Sequence, residues 1–136
     1  MSYDIFVQGF QDGKAVSVTA PRVWELLEAA WEQPPDRLHH ALVRRGDAEA
    51  DLYAGPAGQP IDSLMFSRLV GGAAIFDLIV DVAQAGNMVI LPTDAPPCLV
   101  DEAQRGDLPA DLLEESGAPV LVAGGDELLA VTEAAP

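Results

Sequence analysis

Apolar and polar positions alternate from the start of the chain, with Tyr3, Ile5 and Val7 on one side of residues 3–8. A period of two marks a half-buried strand, so this stretch is expected as the first one. Asp12-Gly13 is a turn signal. The period then changes. Val23, Leu26, Leu27, Ala30 and Trp31 recur at helical spacing, with Glu25, Glu28 and Glu32 on the opposite side. Pro21 suits the first helical position, where its missing N–H costs nothing, and Pro34-Pro35 cannot continue a helix. A helix over residues 21–31 is expected.

Residues 38–45 and 48–54 flank Gly46-Asp47, a two-residue hairpin turn with glycine first. Pairing Arg45 with Ala48 fixes the register. Ala41, Val43, Ala50, Leu52 and Ala54 then share one face with His39. His40, Leu42, Arg44, Glu49, Asp51 and Tyr53 share the other, with Arg44 opposite Glu49 as an ion pair. A slip of one residue would turn every apolar side chain outward, so this register is strongly specified.

Beyond the loop 55–60, residues 61–70 read as a third hairpin strand. Gly71-Gly72 precedes a helix over residues 73–85, polar only at Asp77, Asp81 and Gln84, and Gly86-Asn87 closes it as a left-handed cap. Residues 88–91 are apolar throughout and fit a central strand. Residues 92–119 form an irregular acidic segment. A stretch that long needs structure of its own, so short helices are expected near 101–105 and 109–115. A last strand over 120–123 and a last helix over 126–132 follow. The order β-α-β-β-β-α-β-β-α predicts the α+β class: one mixed, mainly antiparallel sheet with the two longer helices on one face. Residues 1–136 are read as a single domain.

Composition supports a packed core. Of the 136 residues, 49% are apolar, which excludes a wholly disordered chain. The single cysteine, Cys98, rules out an intrachain disulfide. Residues 69–91 are long and apolar, but Asp77 and Asp81 stand near their middle. Each would cost about 2.5–3.5 kcal/mol at a bilayer centre against about 0.3–0.6 recovered per good apolar residue. No membrane association is expected. The first residues lack the basic start and apolar core of a secretory signal, so a cytoplasmic location is expected.

Charge changes the picture more. Residues 1–68 carry ten acids and six bases, and residues 69–136 carry twelve acids and one base, Arg105, giving −4 and −11. A field of that sign repels nucleic acid and attracts basic proteins. The only basic cluster is Arg44-Arg45.

Candidate chemistry is sparse. His39 and His40 are adjacent, so a strand points them to opposite faces, and with one cysteine no closed zinc set forms; no metal is expected. Cys98 could formally join a histidine and an acid, but it follows Pro96-Pro97 and lacks a nucleophile elbow, so a small, partly buried thiol is expected. Asp77 and Asp81, one turn apart, read as a solvated stripe. Gly71-Gly72 and Gly124-Gly125 precede helices without P-loop or dinucleotide spacing, and Asp126 and Glu127 would repel a phosphate. No cofactor is expected.

The acidic segment is the remaining feature. Asp94, Asp101, Glu102, Asp107, Asp111, Glu114 and Glu115 fall in it, with Leu108, Leu112 and Leu113 interleaved. Acids around apolar anchors suit a docking surface for a basic protein, in which charges steer and apolar groups hold. The partner-binding residues expected are Asp101, Glu102, Asp107, Asp111, Glu114 and Glu115. A solvated face with its leucines turned inward is the alternative.

The opening Ser2-Tyr3-Asp4-Ile5-Phe6-Val7-Gln8-Gly9-Phe10, with Glu49-Ala50-Asp51-Leu52-Tyr53 and Cys98-Leu99-Val100-Asp101, resembles small acidic bacterial proteins of this size. The charge and α+β layout are similar in kind to immunity proteins of bacterial toxin systems. The latter resemblance implies a non-enzymatic inhibitor that neutralises a basic partner. Two other readings stand beside it. One is a small enzyme or ligand-binding protein with its site near His40, Asp51 and Tyr53. The other is a structural subunit that uses Trp24 and Trp31, seven apart, as an oligomer face.

Overall fold

The structure, a computed structural model, describes residues 4–134. Tyr3, expected on the inward face of the first strand, lies outside them. The first strand, β1 (Ile5–Gln11), is longer than its alternation suggested because Asp12-Gly13 is a hairpin turn. Both residues are left-handed, with φ of 52° and 79°, and Gln11 pairs with Lys14 of β2 (Lys14–Val16). Two consecutive positive φ angles are what a type I′ turn requires, and Asp-Gly supplies them at low cost.

Helix α1 (Pro21–Ala30) stops one residue short of the expected end. Trp31 turns extended and opens β3 (Trp31–Gln33), an edge strand absent from the sequence reading. The residue before a proline avoids the helical region, so Pro34 biases Gln33 towards an extended backbone. The hairpin of β4 (His40–Arg45) and β5 (Ala48–Tyr53) has the expected register, with Arg45 opposite Ala48 and Arg44 opposite Glu49. The face carrying Ala41, Val43, Ala50, Leu52 and Ala54 is buried. His39 is the exception. It is exposed, with a φ of 62°, because Asp36 accepts bonds from the N–H groups of Leu38 and His40 and curls the chain before the strand begins.

Strand β6 (Leu64–Val70) pairs with β5 and β1. Ile61 stays outside it and only bridges Val18. Helix α2 (Ala74–Gly86) ends on Asn87 in the left-handed region, as expected. Strand β7 (Val89–Pro92) follows between β1 and β8 (Cys98–Leu99). The irregular segment folds into a 3-10 helix (Glu102–Asp107) and α3 (Ala110–Ser116), close to the two short helices anticipated. Strand β9 (Val120–Leu121) and helix α4 (Gly125–Ala134) complete the described chain.

One mixed sheet results, in the order β3-β4-β5-β6-β1-β7-β8-β9, with β2 paired to β1. Among the described pairs only β8 and β9 run parallel. The α+β class is correct, and α1, α2 and α4 share a single core with the inward face of the sheet, which holds Ile5, Val7, Val43, Leu52, Phe66 and Ile90. A smaller core forms on the opposite face. Val89, Leu99 and Leu108 are buried there against Phe10, Leu91, Leu112 and Leu113. Alternation explains the split: Ile90 and Cys98 point to the helices, while their neighbours Val89 and Leu99 point away. The acidic segment therefore covers the far end of the outer sheet face. The outer face of β4, β5 and β6 is left open.

Candidate partner-binding surface

Asp101 opens the 3-10 helix of the acidic segment with a capping box. Its carboxylate accepts from Ala103 N–H at 2.9 Å, and Gln104 reaches back to Asp101 N–H. Gln104 is 4% exposed and fully used. Its side-chain oxygen also accepts from Val100 N–H at 2.9 Å, while its nitrogen donates to Asn87 Oδ1 at 3.1 Å and to the Met88 carbonyl at 3.0 Å. One buried amide thus ties the segment to the α2–β7 junction. The Asp101-x-x-Gln104 spacing is the sequence signal of the capping box, not of this tie.

The six residues expected to bind a partner divide in two. Asp101 is a cap. Glu102 pairs with Arg105, whose hydrogen bond holds the Glu102 carboxyl below its ordinary range. Asp107 accepts from Asp12 N–H at 3.1 Å and, through its carbonyl, from Gly13 N–H at 3.0 Å, so it anchors the β1–β2 turn. Asp111, Glu114 and Glu115 are exposed on α3, and among the described residues no ion pair reaches them. Asp94 and Glu115, from the two ends of the segment, line one open groove with Pro92, Pro96 and Ser116. The interleaved leucines do not serve as surface anchors. Leu108 is 7% exposed, and Leu112 and Leu113 are half-buried in the smaller core. Their attraction to Val89 and Leu99 turns them inward, which corrects the anchor role expected of them.

The second constellation is also assembled. His40 Nε2 lies 2.8 Å from Asp51 Oδ1, the His40 and Tyr53 rings stand 4.9 Å apart, and Arg68 pairs with Asp51. Asp51 is buried, but Tyr53 is 37% exposed and the Arg68 side chain is 70% exposed. This is an open sheet surface on which both carboxylate oxygens of Asp51 already have partners. Arg68 was not foreseen there. It reaches Asp51 because its backbone is left-handed, φ 49°, at a register shift between β5 and β6.

The remaining candidates have structural roles. Asp77 accepts from Gly125 N–H at 2.8 Å and Asp81 pairs with Arg45 at 2.7 Å, so the expected solvated stripe holds α4 and the hairpin in place. Cys98 is fully buried, deeper than expected, and burial pushes its thiol up to about 12. Trp24 packs in the core with its Nε1 donating to the Gln59 carbonyl. Trp31 lies beyond the helix, so the two indoles do not form one helix face. Among the described residues no group of three or more potential metal ligands comes together, and no helix is long and apolar enough to cross a membrane. No protein-family model matches the chain, and neither the curated proteins nor the solved structures yield a match.

Proposed function

We propose that this chain is a non-enzymatic acidic binding protein that docks a basic partner protein through residues 94–115, as an immunity protein covers a basic toxin. The observation that carries this reading is the state of α3. Asp111, Glu114 and Glu115 are exposed on one short helix and, among the described residues, take part in no ion pair, on a segment pinned by the Gln104 amide. Unneutralised carboxylates at fixed positions steer association, and they hold a partner's Lys and Arg side chains without first giving up a contact of their own.

The test is capture by the purified chain at low and high salt, beside the variant Asp111→Lys/Glu114→Lys/Glu115→Lys. The reading expects a basic protein that is retained at low salt, released at high salt and lost by the variant, with association slowed by about 10-fold or more. Capture that is unchanged by the three reversals would overturn it.

A further inference from the structure

The open groove between the two ends of the acidic segment has a volume of about 620 Å³, within the usual range of ligand pockets. Its walls come from two places. Pro92, Asp94, Ala95 and Pro96 lie at the end of β7 and in the turn towards β8, and Glu115 and Ser116 end α3. Thr93 donates its N–H and its hydroxyl to the Asp4 carbonyl at 3.0 and 2.8 Å, which fixes the first wall. The second rests on the smaller core through Leu112 and Leu113. The groove is therefore built before anything binds in it, and a ligand loses little free energy to ordering its walls.

The lining accepts hydrogen bonds and offers few. Asp94 and Glu115 are exposed, and among the described residues neither carboxylate has an ion pair. An ionised carboxylate only accepts, and Pro92 and Pro96 have no N–H to donate. Ser116 is the last residue of α3, the end at which helix carbonyls run out of N–H partners, and no base stands in the last turn. Arg105, the one base of residues 69–136, is bonded to Glu102 and does not line the groove. Between the carboxylates the surface is apolar, with Pro92 buried and Ala95 9% exposed.

We propose that this groove takes a single arginine side chain of the basic partner protein. This rests on the acidic-face reading and names the anchor by which the partner is held. A guanidinium has donors and no acceptor, so it matches a lining that accepts. Its plane and the methylene stem behind it cover proline and alanine surface, while the charge lies between Asp94 and Glu115. A divalent cation is the rival occupant. Calcium takes about six to eight oxygen ligands. Among the described residues no group of three or more potential metal ligands comes together, so the groove supplies too few.

The probe is a capped glycine-serine peptide with one central arginine. Its controls are the same peptide with citrulline, which keeps the shape and loses the charge, and calcium chloride alone. Binding to the full chain is read at low salt from backbone amide NMR shifts. The proposal expects the arginine peptide to move the Asp94, Ala95, Glu115 and Ser116 amides, and the citrulline peptide to bind at least about 10-fold more weakly. Asp94→Asn with Glu115→Gln should weaken the arginine peptide by a similar factor with an unchanged fold. Asn tolerates the left-handed backbone of Asp94, φ 59°, and Gln is as good a helix former as Glu. The shift map of the unmodified chain decides the question should that variant not fold. Absence of binding overturns the proposal. So does equal binding of the citrulline peptide, or displacement of the arginine peptide by calcium at matched ionic strength. Shifts confined to α3 that vanish on Asp111→Lys/Glu114→Lys overturn the groove and leave the acidic face standing. Shifts at the groove, together with partner capture that ignores reversal of Asp111, Glu114 and Glu115, uphold the groove and overturn the docking role of α3.

Discussion

Gln104 donates its side-chain N–H to Asn87 Oδ1 at 3.1 Å, across seventeen positions of sequence. Asn87 is the left-handed cap of α2, so the helix end and the acidic segment share one bond. Gln104→Ala would strip partners from the Val100 N–H and the Met88 carbonyl. We expect a loss of about 1–3 kcal/mol in urea unfolding, the usual cost of leaving buried polar groups unpaired. Hydrogen exchange should accelerate first over residues 101–116. Unchanged protection there would mean that the leucines alone hold the segment down.

Asp77 and Gly125 are a matched pair. Asp77→Ala removes the acceptor for Gly125 N–H at the start of α4 and should cost about 0.5–2 kcal/mol, as helix caps do. Gly125→Ala should cost more. A Cβ at Gly125 would collide with the backbone nitrogen and Oδ1 of Asp77, and backbone cannot yield cheaply. Equal thermal shifts for the two variants would contradict the close approach.

Cys98 should resist alkylation in the native state and react once the chain unfolds, because burial raises its thiol from 9.0 to about 12. The unfolded thiol ionises first. Its contribution to stability is thus fully present below pH 9 and is lost as pH rises towards 12, by at most about 1.4 kcal/mol per pH unit. Cys98→Ala should be less stable below pH 9 because of the cavity, and it should lack this part of the alkaline slope. Paired urea titrations at pH 8 and pH 10.5 would check both statements.

Asp51 joins two strands through His40 and Arg68. Asp51→Ala should cost about 1–2 kcal/mol near neutral pH, below the full value of a buried charged pair because Arg68 is solvated. A double-mutant cycle with His40→Ala isolates the 2.8 Å contact. Additive losses would show that the two side chains do not stabilise each other.

Asp36 responds to acid in the opposite sense to Cys98. Bonds from the His40 and Leu38 N–H groups hold its carboxyl below 3.8. Its contribution is present above that value and fades as pH falls through it, so the turn before β4 should loosen at low pH. The Leu38 and His40 amides should then lose exchange protection. In Asp36→Ala the same amides should be unprotected at every pH.

The hairpin of β4 and β5 was legible in the sequence down to the Arg44–Glu49 pair, because its turn and its alternating apolar face both demand one register. Helix α2, its Asn87 cap and the two short helices of the acidic segment were legible for the same local reasons. The last strand was expected too, over residues 120–123, and forms as β9, whereas the edge strand β3, the pairing of Cys98-Leu99 and the clamp at Gln104 were not legible. Two-residue strands have no period, and a buried glutamine has the same letter as an exposed one.

By itself, the sequence determined the local elements and the sign of the surface, since period, turn chemistry and the count of carboxylates act within short stretches of chain. The tertiary structure alone decided which acids were occupied in holding the fold and which were free. It engaged Asp77, Asp81 and Asp107 at contacts made by groups distant in sequence. It turned Leu108, Leu112 and Leu113 onto a second core, and it left Asp111, Glu114 and Glu115 facing water. The reason is that a carboxylate's role depends on what comes within about 3–4 Å of it, and for most of these acids that neighbour is brought by packing rather than by sequence proximity.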